Sequence, residues 1–170
     1  PDGDLRWARP LTVNNRYDAP AIADVDGDGL GEVIFQGVLI GSDGAIRWDR
    51  QAYGTGLGYA IELDGDASLE VIVGGTAVDT NGTVLWSAQN GTTAAGDLDG
   101  DGDVEILLKH ATGIRLLDGR TGVEAWAIAS PWGGCGGPPT LADLDGDGAL
   151  EVAIAGNTSL QVFEANGAFK

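Results

Sequence analysis

Several things are scarce in this chain, and each scarcity excludes something. Of 170 residues only one is cysteine, Cys135, so no disulfide can form within the chain. The one histidine, His110, lies between Lys109 and Ala111 in what reads as the end of a strand, and nothing places it beside the thiol. A Cys–His nucleophile pair is not expected, and no other nucleophile stands with a base, so the chain does not read as an enzyme. Basic residues number 9 against 26 acids, for a formal charge of -17. No basic patch is available to neutralise phosphates, which argues against nucleic acid. It argues equally against an anionic membrane surface unless a cation bridges. No apolar run is long enough to cross a bilayer, so no membrane insertion is expected. Helical periodicity is missing from every stretch of helix length, and short candidates such as 124–129 fall inside a repeat. No signal peptide opens the chain, which fits a mature or excised segment.

Acid is what the chain has in excess, and it is concentrated. Sixteen of the 26 acids stand at positions 1, 3, 5 and 9 of four similar loops. The first loop is Asp24-Val25-Asp26-Gly27-Asp28-Gly29-Leu30-Gly31-Glu32, with apolar runs on either side. The others start at Glu62, Asp97 and Asp143 and end at Glu70, Glu105 and Glu151. Carboxylates so spaced in a tight loop converge on one point. A glycine at position 6 permits the sharp turn, and position 7 can offer its carbonyl. That is an oxygen cage for a hard cation, and calcium suits it because it accepts roughly 6–8 oxygens in variable geometry. The loop is similar to the start of an EF-hand loop, but it lacks the later Glu and its flanks are strand-like, so no EF-hand helix pair is expected. Solvated turns are the alternative; they are disfavoured because carboxylates packed together repel without a counter-ion. Four bound dications would bring the charge to about -9. Loops of this charge saturate at extracellular calcium levels, which points to a secreted or surface location.

A second landmark falls between the loops. Gly3, Gly44, Gly82 and Gly122 are each followed four residues later by a tryptophan: Trp7, Trp48, Trp86 and Trp126. Asp2-Gly3, Asp43-Gly44 and Asn81-Gly82 are hairpin signals, because both residues tolerate positive φ. The third turn is longer, from Asp118 to Gly122. One unit then reads as four short antiparallel strands: 19–23, the acidic loop, 32–36, 38–40, the turn, and 45–48. Gly-rich crossings such as 52–58 link the units. Gly54–Gly58 has a trace of a phosphate loop, but it precedes a strand and not a helix. The tryptophans are spaced 41, 38 and 40 residues apart. Repeats of this length and strand count predict an all-β fold, a β-propeller of four-stranded antiparallel blades. A tryptophan at one place in every unit is expected to pack between neighbouring blades. Trp132 stands outside that series in a Gly/Pro loop with Cys135, and reads as a recognition residue.

The segment 165–170 aligns with 1–6 at an offset of 164 residues, four units of 41. Two arrangements fit. Leu5–Arg9 supplies the last outer strand and closes a four-bladed ring, or the chain is part of a larger propeller and associates through its terminal strands.

Pro20–Ile34 and Pro139–Ile154 carry the pattern P-x-x-A-D-x-D-G-D-G-x-x-E-V-x. This resembles the FG-GAP/VCBS repeat, the calcium-binding blade of integrin α-chain propellers and of many secreted bacterial proteins, and the resemblance spans residues 1–170 as a single domain. It implies up to four calcium ions. The implied ligands are Asp24, Asp26, Asp28, the Leu30 carbonyl and Glu32; then Asp97, Asp99, Asp101, the Asp103 carbonyl and Glu105; then Asp143, Asp145, Asp147, the Ala149 carbonyl and Glu151. The second loop offers Glu62, Asp64, Asp66, Ser68 and Glu70. It departs from the pattern at Glu62 and at Ala67, where glycine is usual, so its site is expected to be the weakest, with Ala67 costing on the order of 1 kcal/mol if position 6 needs positive φ. The resemblance also implies adhesion, with an extracellular protein or carbohydrate ligand, and calcium in a mainly structural role. Two other functions fit: an accessory propeller domain of a polysaccharide-degrading enzyme, and a repeat unit of an extracellular fibre or layer.

Overall fold

The computed structural model describes residues 3–11, 19–52, 57–129, 137–156 and 159–170, and every regular element within them is a strand. The first sheet contains β1 (Ala21–Ala23), β2 (Glu32–Phe35), β3 (Val38–Ile40) and β4 (Ile46–Asp49). The second contains β5 (Gly58–Ile61), β6 (Glu70–Val73), β7 (Thr76–Val78) and β8 (Val84–Ser87). The third contains β9 (Thr92–Gly96), β10 (Glu105–His110), β11 (Gly113–Asp118) and β12 (Glu124–Ala129). The fourth has three named strands, β13 (Thr140–Ala142), β14 (Glu151–Ala155) and β15 (Leu160–Phe163), and a single bridge from Phe163 to Phe169 begins its outer edge. Strands follow one another in chain order within each sheet and pair antiparallel throughout.

Local chemistry sets the turns. The β2–β3 hairpin is closed by Gln36 (φ 48°) and Gly37 (φ 79°), two successive left-handed residues, which is the geometry of a type I′ turn. Gln36 therefore ends the strand that the sequence pattern extends through it. The outer hairpins close on Gly44, Gly82, Gly122 and Gly167, all left-handed. Each of these glycines donates its N–H back across the turn, at 2.8 Å to Gly41, 2.9 Å to Asp79, 2.8 Å to Asp118 and 2.8 Å to Glu164. The register shifts between Leu39 and Ile40, and again at Ala77/Val78 and Leu116/Leu117. A bulge thus stands beside each of the three paired tryptophan strands, where it twists the edge.

The core lies between sheets and not within one. Ile34, Leu39 and Trp48 of the first sheet pack on Val71, Val73 and Val78 of the second. Ile72 and Trp86 of the second pack on Ile106, Leu108 and Leu117 of the third. Leu107, Ile114 and Leu116 of the third pack on Val152, Ile154 and Phe163 of the fourth. Alternating residues of β6 and β10 thereby face opposite neighbours, which is why both strands are buried along their whole length.

The tryptophans sit at these junctions, as their regular spacing predicts. Trp48 Nε1 donates to the Thr80 carbonyl (3.2 Å), Trp86 to Gly119 (2.7 Å) and Trp126 to Ala165 (3.0 Å). Trp7 makes the equivalent bond to Ser42 (3.1 Å), and Arg9 donates to the Gly44 carbonyl as Arg50 does to Gly82.

A closed four-sheet ring is not found. Among the described residues, no strand pairing and no core cluster joins the fourth sheet to the first. Leu5–Arg9 does not pair with β15; Phe169 and the Lys170 N–H, bonded to the Val162 carbonyl (3.0 Å), take that edge. Trp132 and Cys135 lie outside the described residues, as does most of the Gly-rich crossing at 53–56. Among the described residues no helix is long and apolar enough to cross a membrane.

Candidate metal centres

Each acidic loop joins the first two strands of its sheet. The glycine at position 4 is left-handed in all four, with φ of 73° at Gly27, 85° at Gly65, 79° at Gly100 and 82° at Gly146. The glycine at position 6 is left-handed in three, at Gly29 (87°), Gly102 (96°) and Gly148 (92°). Ala67 is not among the left-handed residues. The strain expected of an alanine there is therefore absent; the second loop takes another path.

The hydrogen bonds show the difference. In the first, third and fourth loops the N–H at position 6 reaches the first Asp, from Gly29 to Asp24 Oδ2 (2.9 Å), from Gly102 to Asp97 Oδ2 (3.1 Å) and from Gly148 to Asp143 Oδ2 (3.1 Å). In the second, Glu62 Oε1 accepts from Gly65 (2.6 Å), as Asp97 does from Gly100 (2.7 Å) and Asp143 from Gly146 (2.6 Å), but its other bond is from the Asp64 N–H (2.8 Å) and not from position 6. The longer Glu arm folds back over its own turn.

The carboxylates converge, though not always in the predicted set. Oxygens within 4.8 Å of one another come from Asp24, Asp26 and Glu32; from Glu62, Asp64 and Glu70; from Asp97, Asp99 and Asp101; and from Asp143, Asp145 and Glu151. Oxygens this close could share one cation of calcium's size. Asp28, Asp66 and Asp147 stand outside the tight groups. Their Oδ1 atoms accept from the N–H at position 7, Leu30 (2.8 Å), Ser68 (2.6 Å) and Ala149 (2.9 Å), which turns the backbone. In the third loop Asp101 joins the group, although it too holds a backbone N–H, that of Asp103.

The glutamate at position 9 joins the tight group in the first, second and fourth loops, whereas Glu105 of the third, expected as a ligand, stands outside it. This glutamate is buried in every unit, at Glu32, Glu70, Glu105 and Glu151. One oxygen accepts from the N–H at position 2: Val25 (3.0 Å), Leu63 (2.8 Å), Leu98 (2.8 Å) and Leu144 (2.7 Å). That bond ties the loop's entry to its exit. The second oxygen, Glu32 Oε1, is buried with no hydrogen-bond partner among the described residues. A buried carboxylate oxygen without a donor is costly, and a cation at the centre of the Asp24–Asp26–Glu32 group removes that cost. Burial pushes the Glu70 and Glu105 carboxyls above the usual range; the neighbouring loop carboxylates add to the rise, and the backbone N–H bond opposes it.

The fourth site already has a cation. Lys170 Nζ lies 2.8 Å from Asp145 Oδ2, 3.1 Å from Glu151 Oε1 and 3.1 Å from Glu164 Oε1. Its hydrogen bond holds the Asp145 carboxyl below the ordinary carboxylate range. The sequence pattern does not single out Lys170. The signal is its place one residue before the tryptophan phase, which Arg47 occupies in the first unit. Arg47, Trp48 and Asn81 also line a cleft of about 350 Å³ against Asp26 and Glu32. His110 is buried at the end of β10, its Nδ1 within 3.1 Å of Thr112 Oγ1, and burial pushes its pKa down.

No protein-family model matches the chain, and no curated protein matches it. Solved structures do. The chain is similar to the V. cholerae biofilm matrix protein Bap1 at 22% identity and a TM-score of 0.71, over 89% of this chain and 27% of that one. It is similar to the rhamnogalacturonan lyase YesW at 24% identity and a TM-score of 0.66, over 88% of this chain and 30% of the lyase. The Bacillus licheniformis rhamnogalacturonan lyase PL11 matches at 22% identity and a TM-score of 0.61, over 83% of this chain and 28% of that one. The chain thus spans less than a third of each. At these identities the likeness establishes the fold alone.

Proposed function

We propose that this chain is a calcium-binding β-propeller module of the FG-GAP/VCBS class, part of a secreted or cell-surface protein, that presents a rigid surface to an extracellular protein or carbohydrate. The observation that carries the reading is Glu32: one oxygen buried and unpaired, pointing into a group it shares with Asp24 and Asp26. The other three loops repeat the convergence of carboxylates. Calcium here is structural. It joins the two ends of a loop whose own charges oppose closure, and so fixes the first strand of each sheet against the second. Up to four ions bind, the second site most weakly. No catalytic role is assigned, because the clustered acids are committed to the metal. The cleft between Arg47, Asn81 and the first loop is a place where a ligand would meet that loop.

A second reading makes the chain an accessory, carbohydrate-binding propeller of a polysaccharide-degrading enzyme. The likeness of fold to two rhamnogalacturonan lyases favours it.

Calcium counting on the purified chain tests the first reading. Asp26→Ala should lower the bound calcium by one equivalent and lower the melting temperature in calcium. An unchanged metal count would sink the assignment. Binding of acidic and neutral oligosaccharides, followed by calorimetry, separates the second reading from it.

A further inference from the structure

The pair Asn-Gly occurs three times, at Asn81-Gly82, Asn90-Gly91 and Asn166-Gly167. It is the least hindered setting for one reaction of asparagine. The backbone nitrogen of the following residue attacks the side-chain amide, and a glycine puts no side chain in its way. By sequence the three pairs are equal. The fold makes them unequal.

Two of the pairs are held in outer hairpins. The Gly82 N–H donates to the Asp79 carbonyl (2.9 Å) and the Gly167 N–H to the Glu164 carbonyl (2.8 Å). A nitrogen so engaged must leave its bond before it can attack, which slows the step roughly ten-fold on the usual scale of such bonds. Each turn has further ties. Asp79 Oδ1 accepts from the N–H groups of Asn81 and Thr83, both at 2.8 Å. Asn166 Oδ1 accepts from the Ala168 N–H (2.9 Å), which ties the amide itself down. The indoles of Trp48 and Trp126 pack on Gly82 and Gly167, so neither peptide swings freely.

Asn90-Gly91 has none of these ties. It lies in the link between β8 and β9, outside any strand, and Asn90 is exposed. Among the described residues no group accepts the Gly91 N–H, and none bonds the Asn90 side chain. What packs on Gly91 is the Lys109 carbonyl, where a Cβ would collide, and not a partner for its nitrogen.

We propose that Asn90 is a self-modification site, where the folded chain converts asparagine to aspartate and isoaspartate while Asn81 and Asn166 react far more slowly. The Gly91 nitrogen gives up its proton to base and bonds to Asn90 Cγ. The Cγ–Nδ2 bond breaks, and Nδ2 leaves as ammonia with a proton from water. Water then opens the succinimide ring at either carbonyl. Water is the only co-reactant, and nothing is oxidised or reduced. The product adds one negative charge to a chain that carries -17. The isoaspartate form also lengthens the main chain by one methylene beside Gly91, where the Lys109 carbonyl leaves no slack. It therefore disturbs the Thr92–Lys109 pair that opens β9. The proposal does not depend on what the acidic loops bind.

To test it, the intact chain is aged in warm, mildly alkaline buffer, and amide loss at each asparagine is followed by peptide mapping and mass spectrometry. The Asp-Gly turns do not interfere, because their isomerisation leaves the mass unchanged. In the folded chain Asn90 should lose its amide about ten-fold faster than Asn81 or Asn166. In urea, with the turns gone, the three rates should converge. Asn90→Ser should remove the acidic species that accumulates on native ion exchange. If Asn81 or Asn166 keeps pace with Asn90 in the folded chain, or the acidic species survives Asn90→Ser, the proposal fails. It fails as well if Asn90 keeps its amide while folded, or if the spread of rates persists in urea, since sequence and not the fold would then order them.

Discussion

The indole of Trp48 rests on the backbone of Gly82, so closely that a Cβ there would come within 2.8 Å of Cγ. The contact recurs as Trp86 on Gly122 at 2.7 Å and Trp126 on Gly167 at 3.2 Å. Glycine is needed for two reasons at once. The turn has a φ of +83° at Gly82, and the neighbouring sheet's tryptophan leaves no room for a side chain.

These two reasons can be separated. Gly146 has nearly the same backbone, φ +82°, with nothing within 4 Å of a Cβ. Gly146→Ala should cost only the left-handed backbone term, about 1–2 kcal/mol. Gly82→Ala should cost clearly more and should shift the tryptophan emission. Urea unfolding of both variants in chelator gives the comparison. Equal losses would show that Trp48 moves aside freely.

The buried glutamate separates metal binding from folding. Glu32→Gln keeps an oxygen for the Val25 N–H but removes the charge that faces Asp24 and Asp26. The bound calcium should fall by one equivalent. Melting in chelator should stay the same or rise, because a buried unpaired carboxylate has been removed. A large loss in chelator with the full calcium count would make Glu32 a purely structural residue.

Lys170 stands in the fourth loop where the proposed metal would bind. Its ammonium contacts Asp145 and Glu151, both members of the group that would bind the cation. Lys170→Met should tighten calcium at the fourth site several-fold and lower stability in chelator, where the loop loses its counter-ion. Titration of a chain with Asp26, Asp64 and Asp99 already replaced isolates the effect. Unchanged affinity would show that Lys170 leaves the loop at no cost.

The second loop should respond to restoring the usual residues. Glu62→Asp shortens the arm that now folds back on the Asp64 and Gly65 N–H groups. Ala67→Gly permits the left-handed turn found at Gly29, Gly102 and Gly148. The double variant should bind calcium more tightly at this site than wild type. Should neither substitution matter, Glu70 and Asp64 alone set the affinity.

Much of the architecture was legible because it is local. Alternating apolar residues, Asp-Gly turns and the acidic loop each lie within about ten residues, and they predicted strands and hairpins that the structure contains. Gln36 was misplaced at the end of a strand because its left-handed conformation comes from the hairpin and not from its side chain. The clusters of carboxylates were legible in outline. That Asp28 and Asp147 turn the backbone while Glu32 and Glu151 enter the tight group depends on carboxylate orientation, which spacing does not specify. Ala67 was expected to be strained if position 6 needs a left-handed residue; it is not left-handed, so the second loop turns differently there.

By itself, then, the amino-acid order determined the repeat, its strands and turns, and the four places where negative charge collects, since all of these follow from neighbours along the chain. Only the tertiary structure decided which glycines carry a tryptophan and which cation stands in the fourth loop. Trp48 and the carbonyl of Thr80 are 32 residues apart, and Lys170 and Asp145 are 25 apart. The first contact forms when successive sheets stack, because each sheet buries its apolar faces only against a neighbour, and the second when the outer edge of the fourth sheet folds back over its own loop.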